Sequence, residues 1–158
     1  MGEEPEETQA LLRGQACEYV ARALRGENAS PARDPARLGE MFADMAGAGA
    51  GYPGILVPAA YGGEGGGLSE ACVVVEEVAA GESNLALMLV HHLACCRGLS
   101  LWAGEGLKRR FLPPLSTAER IGAVALTEPE AGSDLAAIRS GLARRGNRLV
   151  INGNKCFV

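Results

Sequence analysis

"ALTEPEAGSD", residues 125–134, sets an apolar run against Thr127, Glu128 and Pro129, then passes through Gly132, Ser133 and Asp134 into "LAAIRS". Proline at 129 fixes φ and imposes a turn, and glycine at 132 admits conformations that other residues resist. The stretch "AVALTE" favours a strand, and "DLAAIR" favours a helical turn beginning near Ser133 and Asp134. Unpaired N–H groups at the entrance of such a turn, with the local dipole, favour an anion. Thr127, at the strand end, carries a hydroxyl suited to bonding a flat heteroaromatic ring laid across the turn. In the plainer alternative, Ser133 only caps a helix and Pro129 only bends the chain.

Upstream, the period is helical. Residues 7–25 place Leu11, Leu12, Cys17, Val20, Ala21 and Leu24 at helical spacings, and "GENASPARDPAR" interrupts them with two prolines. "RLGEMFADMAGAG" puts Leu38, Met41, Phe42 and Met45 on one face, and the Gly/Ala run at 46–51 ends it. "GILVPAAYGGEGGG" is a short strand-like apolar run with a glycine loop, which implies tight turning or a close backbone approach. "LSEACVVVEEVAAGE" reads as a mostly buried helix stopped by Gly81. "SNLALMLVHHLACCRGLSLWAG" reads as another, with Ser83 or Asn84 as N-cap and Trp102 as a core anchor. Lys108 to Leu112 predicts one more short helix, ended by Pro113 and Pro114. Downstream, "RLVINGNKCFV" is strand-like, and "ARRGNR" between Leu142 and Leu149 is a hairpin turn.

The expected fold is therefore mainly α: a helical domain over 1–122, then the first strands of a β domain over 123–158. Three strands are too few to close a β core, so the β part reads as incomplete.

Composition removes several functions. Fifteen basic against nineteen acidic residues give a net charge of −4 without a basic block, which argues against nucleic acid as a partner. Five cysteines, none in C-x-x-C spacing, argue against a disulfide scaffold or a zinc site and for a reducing cytoplasm. The acidic, apolar-poor start "MGEEPEETQ" argues against a secretory signal and against an Arg-rich transit peptide. "LALMLV" stops at His91 and His92, short of the roughly 20 residues that span a bilayer, so no membrane span and a soluble protein are expected.

Other motifs dissolve on inspection. Gly49, Gly51 and Gly54 fit G-x-G-x-x-G, but the fingerprint needs a strand before it and a helix after it. His91 and His92 point to different helix faces without a third ligand, so no metal site is assigned. Adjacent Glu76 and Glu77 diverge on their helix and read as a solvated face.

Taken in order, "GILVPAAYGGEGGG", "VVVEEVA", "VHHL", "RRFLPPLSTAERIGAVALTEPEAGSD" and "NRLVINGNKCFV" resemble the acyl-CoA dehydrogenase family. The likeness runs over about residues 54–158, more loosely over 36–53, and the first 35 residues fit only as a generic helix. "ALTEPEAGSD" followed by "INGNK" is its most specific part. The resemblance implies FAD as cofactor and α,β-dehydrogenation of acyl-CoA thioesters, in which a carboxylate base takes the α proton and the flavin accepts the β hydride. It places Val124, Leu126 and Thr127 along the isoalloxazine ring, Gly132 and Ser133 at the FAD pyrophosphate, and Ser133 also against acyl-CoA. Phe157 stands where members commonly put tryptophan against the flavin, with Val158 after it.

Some positions depart from that pattern. The chain stops one residue short of a threonine that usually bonds the flavin; Ala60 replaces a frequent carboxylate before Tyr-Gly-Gly; and Val124 replaces a frequent aromatic. In the family the C-terminal helical domain usually supplies the catalytic glutamate and tetramer contacts. No residue here is assigned as catalytic, and the chain alone is expected to be inactive. The implied partners are acyl-CoA, an electron-accepting flavoprotein, and either further copies of the chain or a companion chain. A flavin oxidase or monooxygenase of the same superfamily, and a non-catalytic helical interaction module, are the alternative readings.

Overall fold

The computed structural model describes residues 4–25, 34–47 and 51–158. The break after the first helix, most of the Gly/Ala run and Gly49 lie outside the described residues. Two compact units divide the chain, Met1–Gly122 and Ala123–Val158.

The first unit holds five helices among the described residues: α1 (Glu4–Ala23), α2 (Pro35–Gly47), α3 (Leu68–Gly81), α4 (Ser83–Trp102) and α5 (Glu105–Ser116). On α1 the inward stripe is Leu12, Ala16, Tyr19, Val20 and Ala23, while Leu11 and Cys17 are exposed. Those inward positions recur at helical intervals of three and four, and the expected face lay partly to one side of them. Met41, Phe42 and Met45 of α2 are buried as their spacing predicts. Tyr19 donates to the Met41 carbonyl at 2.6 Å, fastening α1 to α2.

The apolar run after Gly54 is not a strand. Two 3-10 turns, Tyr52–Gly54 and Ala59–Tyr61, flank it, and Ile55, Leu56 and Val57 are buried. The glycine loop folds back on this run: Glu64, Gly65 and Gly66 donate N–H groups to the carbonyls of Gly54, Val57 and Ile55. A Cβ at Gly63 would lie 2.3 Å from the Val57 carbonyl oxygen, so this approach requires glycine.

Glu82 alone separates α3 from α4. Its carboxylate accepts from the Asn84 amide at 3.1 Å, so Glu82 is the N-cap in place of Ser83 or Asn84. By length and composition α4 is apolar enough to cross a membrane, which its interrupted apolar runs did not suggest. It packs against α2, α3 and α5, and buries Leu85, Ala86, Leu89, His92, Leu93 and Cys96. Trp102, expected in the core, is 82% exposed at its end. His92 and His91 diverge: His91 is exposed and His92 fully buried. The Gly122 N–H donates to His92 Nδ1 at 3.0 Å, which leaves the proton on Nε2 to be donated to the Pro53 carbonyl at 3.2 Å.

Pro113 and Pro114 lie inside α5 and do not end it after Leu112; it runs on to Ser116. Each removes one donor, from the carbonyls of Arg109 and Arg110, two residues that are exposed. The Ser116 hydroxyl closes the helix on the Pro113 carbonyl at 2.8 Å. Glu76 and Glu77 are not merely a solvated face, because Arg13 of α1 reaches both.

In the second unit, β1 (Gly141–Arg145) and β2 (Arg148–Asn152) form the expected antiparallel hairpin, with Leu142 opposite Ile151 and Arg144 opposite Leu149. Gly146 takes φ +59° in its turn. "AVALTE" forms no strand; Glu128 at its end makes an isolated bridge with Ala131, and Thr127 accepts one backbone bond from Cys156.

Candidate functional site

The second unit carries every residue that the sequence nominated. Its TEPE turn is closed by two reciprocal backbone bonds, Glu128 N–H to the Ala131 carbonyl at 3.0 Å and Ala131 N–H to the Glu128 carbonyl at 3.1 Å. Beyond the turn, Asp134 Oδ1 accepts from the Ala136 amide at 3.1 Å and caps a single 3-10 turn, Leu135–Ala137. Ser133 is therefore not the cap. The expected helix is three residues long, too short for a dipole of consequence, and the helix-entrance argument for an anion falls with it. Gly132 does not take positive φ, and a Cβ there would meet nothing within 4 Å. What this corner offers is open approach at Gly132 and an exposed Ser133 hydroxyl with no partner among the described residues.

Thr127 is drawn against the far end of the chain. The Cys156 N–H donates to the Thr127 carbonyl at 2.9 Å, and Lys155 Nζ donates to the Leu126 carbonyl at 2.9 Å. Residues 126–128 and 155–156 thus run side by side, which puts Leu126 and Thr127 next to the segment bearing Phe157 and Val158. Leu126 is 50% exposed, Phe157 95% and Val158 79%. Phe157 takes φ +55°, a left-handed backbone uncommon for a bulky residue. Val124 is half-buried in the extended stretch before Leu126. The Thr127 hydroxyl has no partner among the described residues. Exposed apolar side chains around an uncommitted hydroxyl fit a flat ring that needs an apolar face and a polar edge.

A carboxylate also stands in this site. The Glu128 side chain is 7% exposed; Oε2 accepts from the Arg139 amide at 2.7 Å, and Oε1 from the Ser140 amide at 3.0 Å and Lys155 Nζ at 2.8 Å. These donors, Lys155 foremost, hold its pKa down at about 2. A carboxylate so placed is ionised and fully engaged, and makes a poor proton acceptor near neutrality. Glu130 is exposed and ion-paired with Arg139 at 2.6 Å. Sequence spacing did not reveal the Glu128–Lys155 pair, since 27 residues and a hairpin separate its members. Among the described residues, no three metal-ligating side chains come together.

Residues 6–119 match the family model of the acyl-CoA dehydrogenase N-terminal domain. The chain belongs to the acyl-CoA dehydrogenase family. It is 38% identical over 111 residues to glutaryl-CoA dehydrogenase of Desulfococcus multivorans, covering 68% of this chain and 28% of that protein. It is 36% identical over 109 residues to mitochondrial isovaleryl-CoA dehydrogenase of Pongo abelii, covering 68% and 26%. Acryloyl-CoA reductase (NADH) of Anaerotignum propionicum matches over 143 residues at 33% identity, covering 89% and 34%. This chain therefore spans between about a quarter and a third of the length of these relatives. A solved glutaryl-coenzyme A dehydrogenase–glutaryl-CoA complex superposes with a TM-score of 0.71 at 30% identity, over 98% of this chain and 39% of that one. An FAD-bound acyl-CoA dehydrogenase from Bacillus anthracis superposes at 0.82 with 22% identity, over 93% and 25%, a likeness of fold alone. The mainly α architecture, a helical domain with the start of a β domain, is that of this family.

Proposed function

We propose that this chain is the N-terminal part of an FAD-dependent acyl-CoA dehydrogenase that introduces an α,β double bond into acyl-CoA thioesters. In this reading residues 1–122 are the helical domain and 123–158 the beginning of the middle β domain, which the division into compact units supports. The observation that carries it is the junction of Thr127 with Cys156, which sets an uncommitted hydroxyl beside exposed Leu126, Phe157 and Val158.

Leu126, Phe157 and Val158 would shield one face of the flavin from water, with Val124 beside them, and the Thr127 hydroxyl would bond the ring edge. Gly132 would let the pyrophosphate approach, and Ser133 would bond both that group and acyl-CoA. When bound, FAD supplies hydride-accepting chemistry that no side chain can provide. Neither Glu128 nor Glu130 serves as the base; in this reading the base lies in the family's C-terminal helical domain. An electron-accepting flavoprotein, further copies or a companion chain as partners, and a cytoplasmic setting belong to the same reading. The match to an acryloyl-CoA reductase favours a second one, in which the same site runs towards reduction of the acyl double bond.

FAD titration of the purified chain, and of the chain co-expressed with the remaining β and C-terminal helical portion of a family member, tests the proposal. The co-expressed protein is expected to be yellow and to reduce an artificial acceptor with acyl-CoA; the chain alone is expected not to turn over. A colourless assembly indifferent to added FAD would sink the flavin reading, and turnover by the chain alone would overturn the assignment of the base.

A further inference from the structure

We infer that Glu128 and Lys155 are positioning residues for the flavin-facing edge, acting as a charged clip that sets the Thr127–Cys156 junction. The inference rests on the flavin reading for its purpose, but its geometry stands without it. Glu128 follows Thr127 directly, and Lys155 precedes Cys156 directly. The backbone bond from Cys156 N–H to the Thr127 carbonyl is thus flanked by the ion pair between the two neighbouring side chains, at 2.8 Å. Lys155 has a second task, since Nζ also holds the Leu126 carbonyl at 2.9 Å. Glu128 likewise has more than one, because its carboxylate receives the amides of Arg139 and Ser140 where the chain enters β1. Three segments meet on this one carboxylate: the TEPE turn, the entry to the hairpin, and the exit from it.

The arrangement matters because little else orders this unit. Every residue of β1 is exposed, and Val150 is the one half-buried residue of β2, so hydrophobic packing contributes little to holding the junction. A carboxylate with three donors, 7% exposed, and an ammonium with 26% of its side chain exposed form a pair shielded enough to hold geometry. Small displacements of positioning groups cost binding and rate far out of proportion to their size. Lys155 is spent on the Leu126 carbonyl and on Glu128, and Glu128 on the amides of Arg139 and Ser140 as well. Their effect on a bound flavin is therefore indirect, through the placement of those two residues and of Phe157.

Glu128→Gln, Lys155→Met and Lys155→Arg, made in the 158-residue chain, test this with two readouts. The first is FAD affinity by flavin fluorescence: Glu128→Gln and Lys155→Met are expected to weaken it at least tenfold, and Lys155→Arg to stay within about threefold of the wild type. The second needs no flavin: amide exchange at Cys156, expected to accelerate at least tenfold in the first two variants and to be rescued in Lys155→Arg. Cross-strand NOEs between Leu142 and Ile151 report whether the hairpin persists, and Lys155→Met, which leaves the Glu128 bonds to Arg139 and Ser140 available, is the variant expected to keep it. Unchanged Cys156 exchange in Lys155→Met overturns the clip, as does FAD binding at wild-type affinity. If neither the wild-type chain nor its co-expressed assembly binds FAD but Cys156 exchange responds as expected, the clip stands and the flavin reading fails.

Discussion

The two units are held together by different physics. In the helical unit, tyrosine, phenylalanine, methionine, leucine and valine side chains from five helices and the loop at 52–57 disappear from solvent. In the second unit Ala131 is the one buried hydrophobic residue, and the other buried group there is the charged Glu128. One unit is organised by apolar burial, which is non-directional and large in sum. The other is organised by directed bonds that converge on one carboxylate. The lesson is that the region nominated for cofactor binding has few contacts to spare, and its exposed apolar residues are uncommitted.

The sharpest test of that contrast is truncation. Phe42→Ala in the helical core is expected to cost about 3–5 kcal/mol in denaturant unfolding, and Leu142→Ala on the exposed strand less than about 0.5 kcal/mol. Comparable losses at the two sites would break the comparison.

Next in size is the buried histidine. His92→Phe leaves the Gly122 N–H and the Pro53 carbonyl without their partner, and is expected to destabilise by about 2–3 kcal/mol. Burial lowers the His92 pKa, so the folded chain resists a proton that the unfolded chain accepts. Its effect is therefore absent above the unfolded value of about 6.5, and stability falls as pH drops below it. Glu128 behaves oppositely in cause but alike in sign. Its pKa is lowered to about 2, so its contribution is full above the unfolded carboxylate range and is lost as pH falls from about 4.5 towards 2. Acid titration followed by NMR should show the helical unit weakening first, with the Arg139 and Ser140 amide shifts moving only at lower pH. Simultaneous changes would blur the distinction.

The smallest expected effect compares two buried tyrosines in edge-to-face contact, with ring centroids 6.2 Å apart. Tyr19→Phe removes a hydroxyl bonded to the Met41 carbonyl and should cost about 1 kcal/mol. The Tyr52 hydroxyl is buried without a partner among the described residues, so Tyr52→Phe should be neutral or slightly stabilising by thermal melting.

Helices α2, α3 and α4 were legible because an apolar face repeats at 3.6 residues whatever it packs against. The hairpin was legible because Gly146 and Asn147 form a two-residue turn decided locally, but the turn expected over 143–148 was too wide: Ala143–Arg145 and Arg148 belong to the strands. Trp102 was misplaced because a period shows that a helix has an apolar side, not which part of it a neighbour covers. "AVALTE" was misread because a strand exists only through a ladder of backbone bonds, and the segment beside it supplies a single one, from Cys156 to Thr127. Pro113 and Pro114 misled because their cost depends on whether the orphaned carbonyls meet water.

At the candidate site, Thr127, Ser133 and Phe157 could be nominated from the motifs and the family likeness they carry. The Glu128–Lys155 pair could not, because an ion pair across 27 residues depends on how the intervening hairpin returns the chain. Local pattern, written in spacing and turn chemistry, determined the helices, the hairpin and the family. Tertiary structure alone decided which carboxylate is spent on backbone amides, which histidine is sealed in the core, and which apolar side chains stay exposed. Those outcomes depend on distances between residues far apart in the chain, and no short-range period encodes such distances.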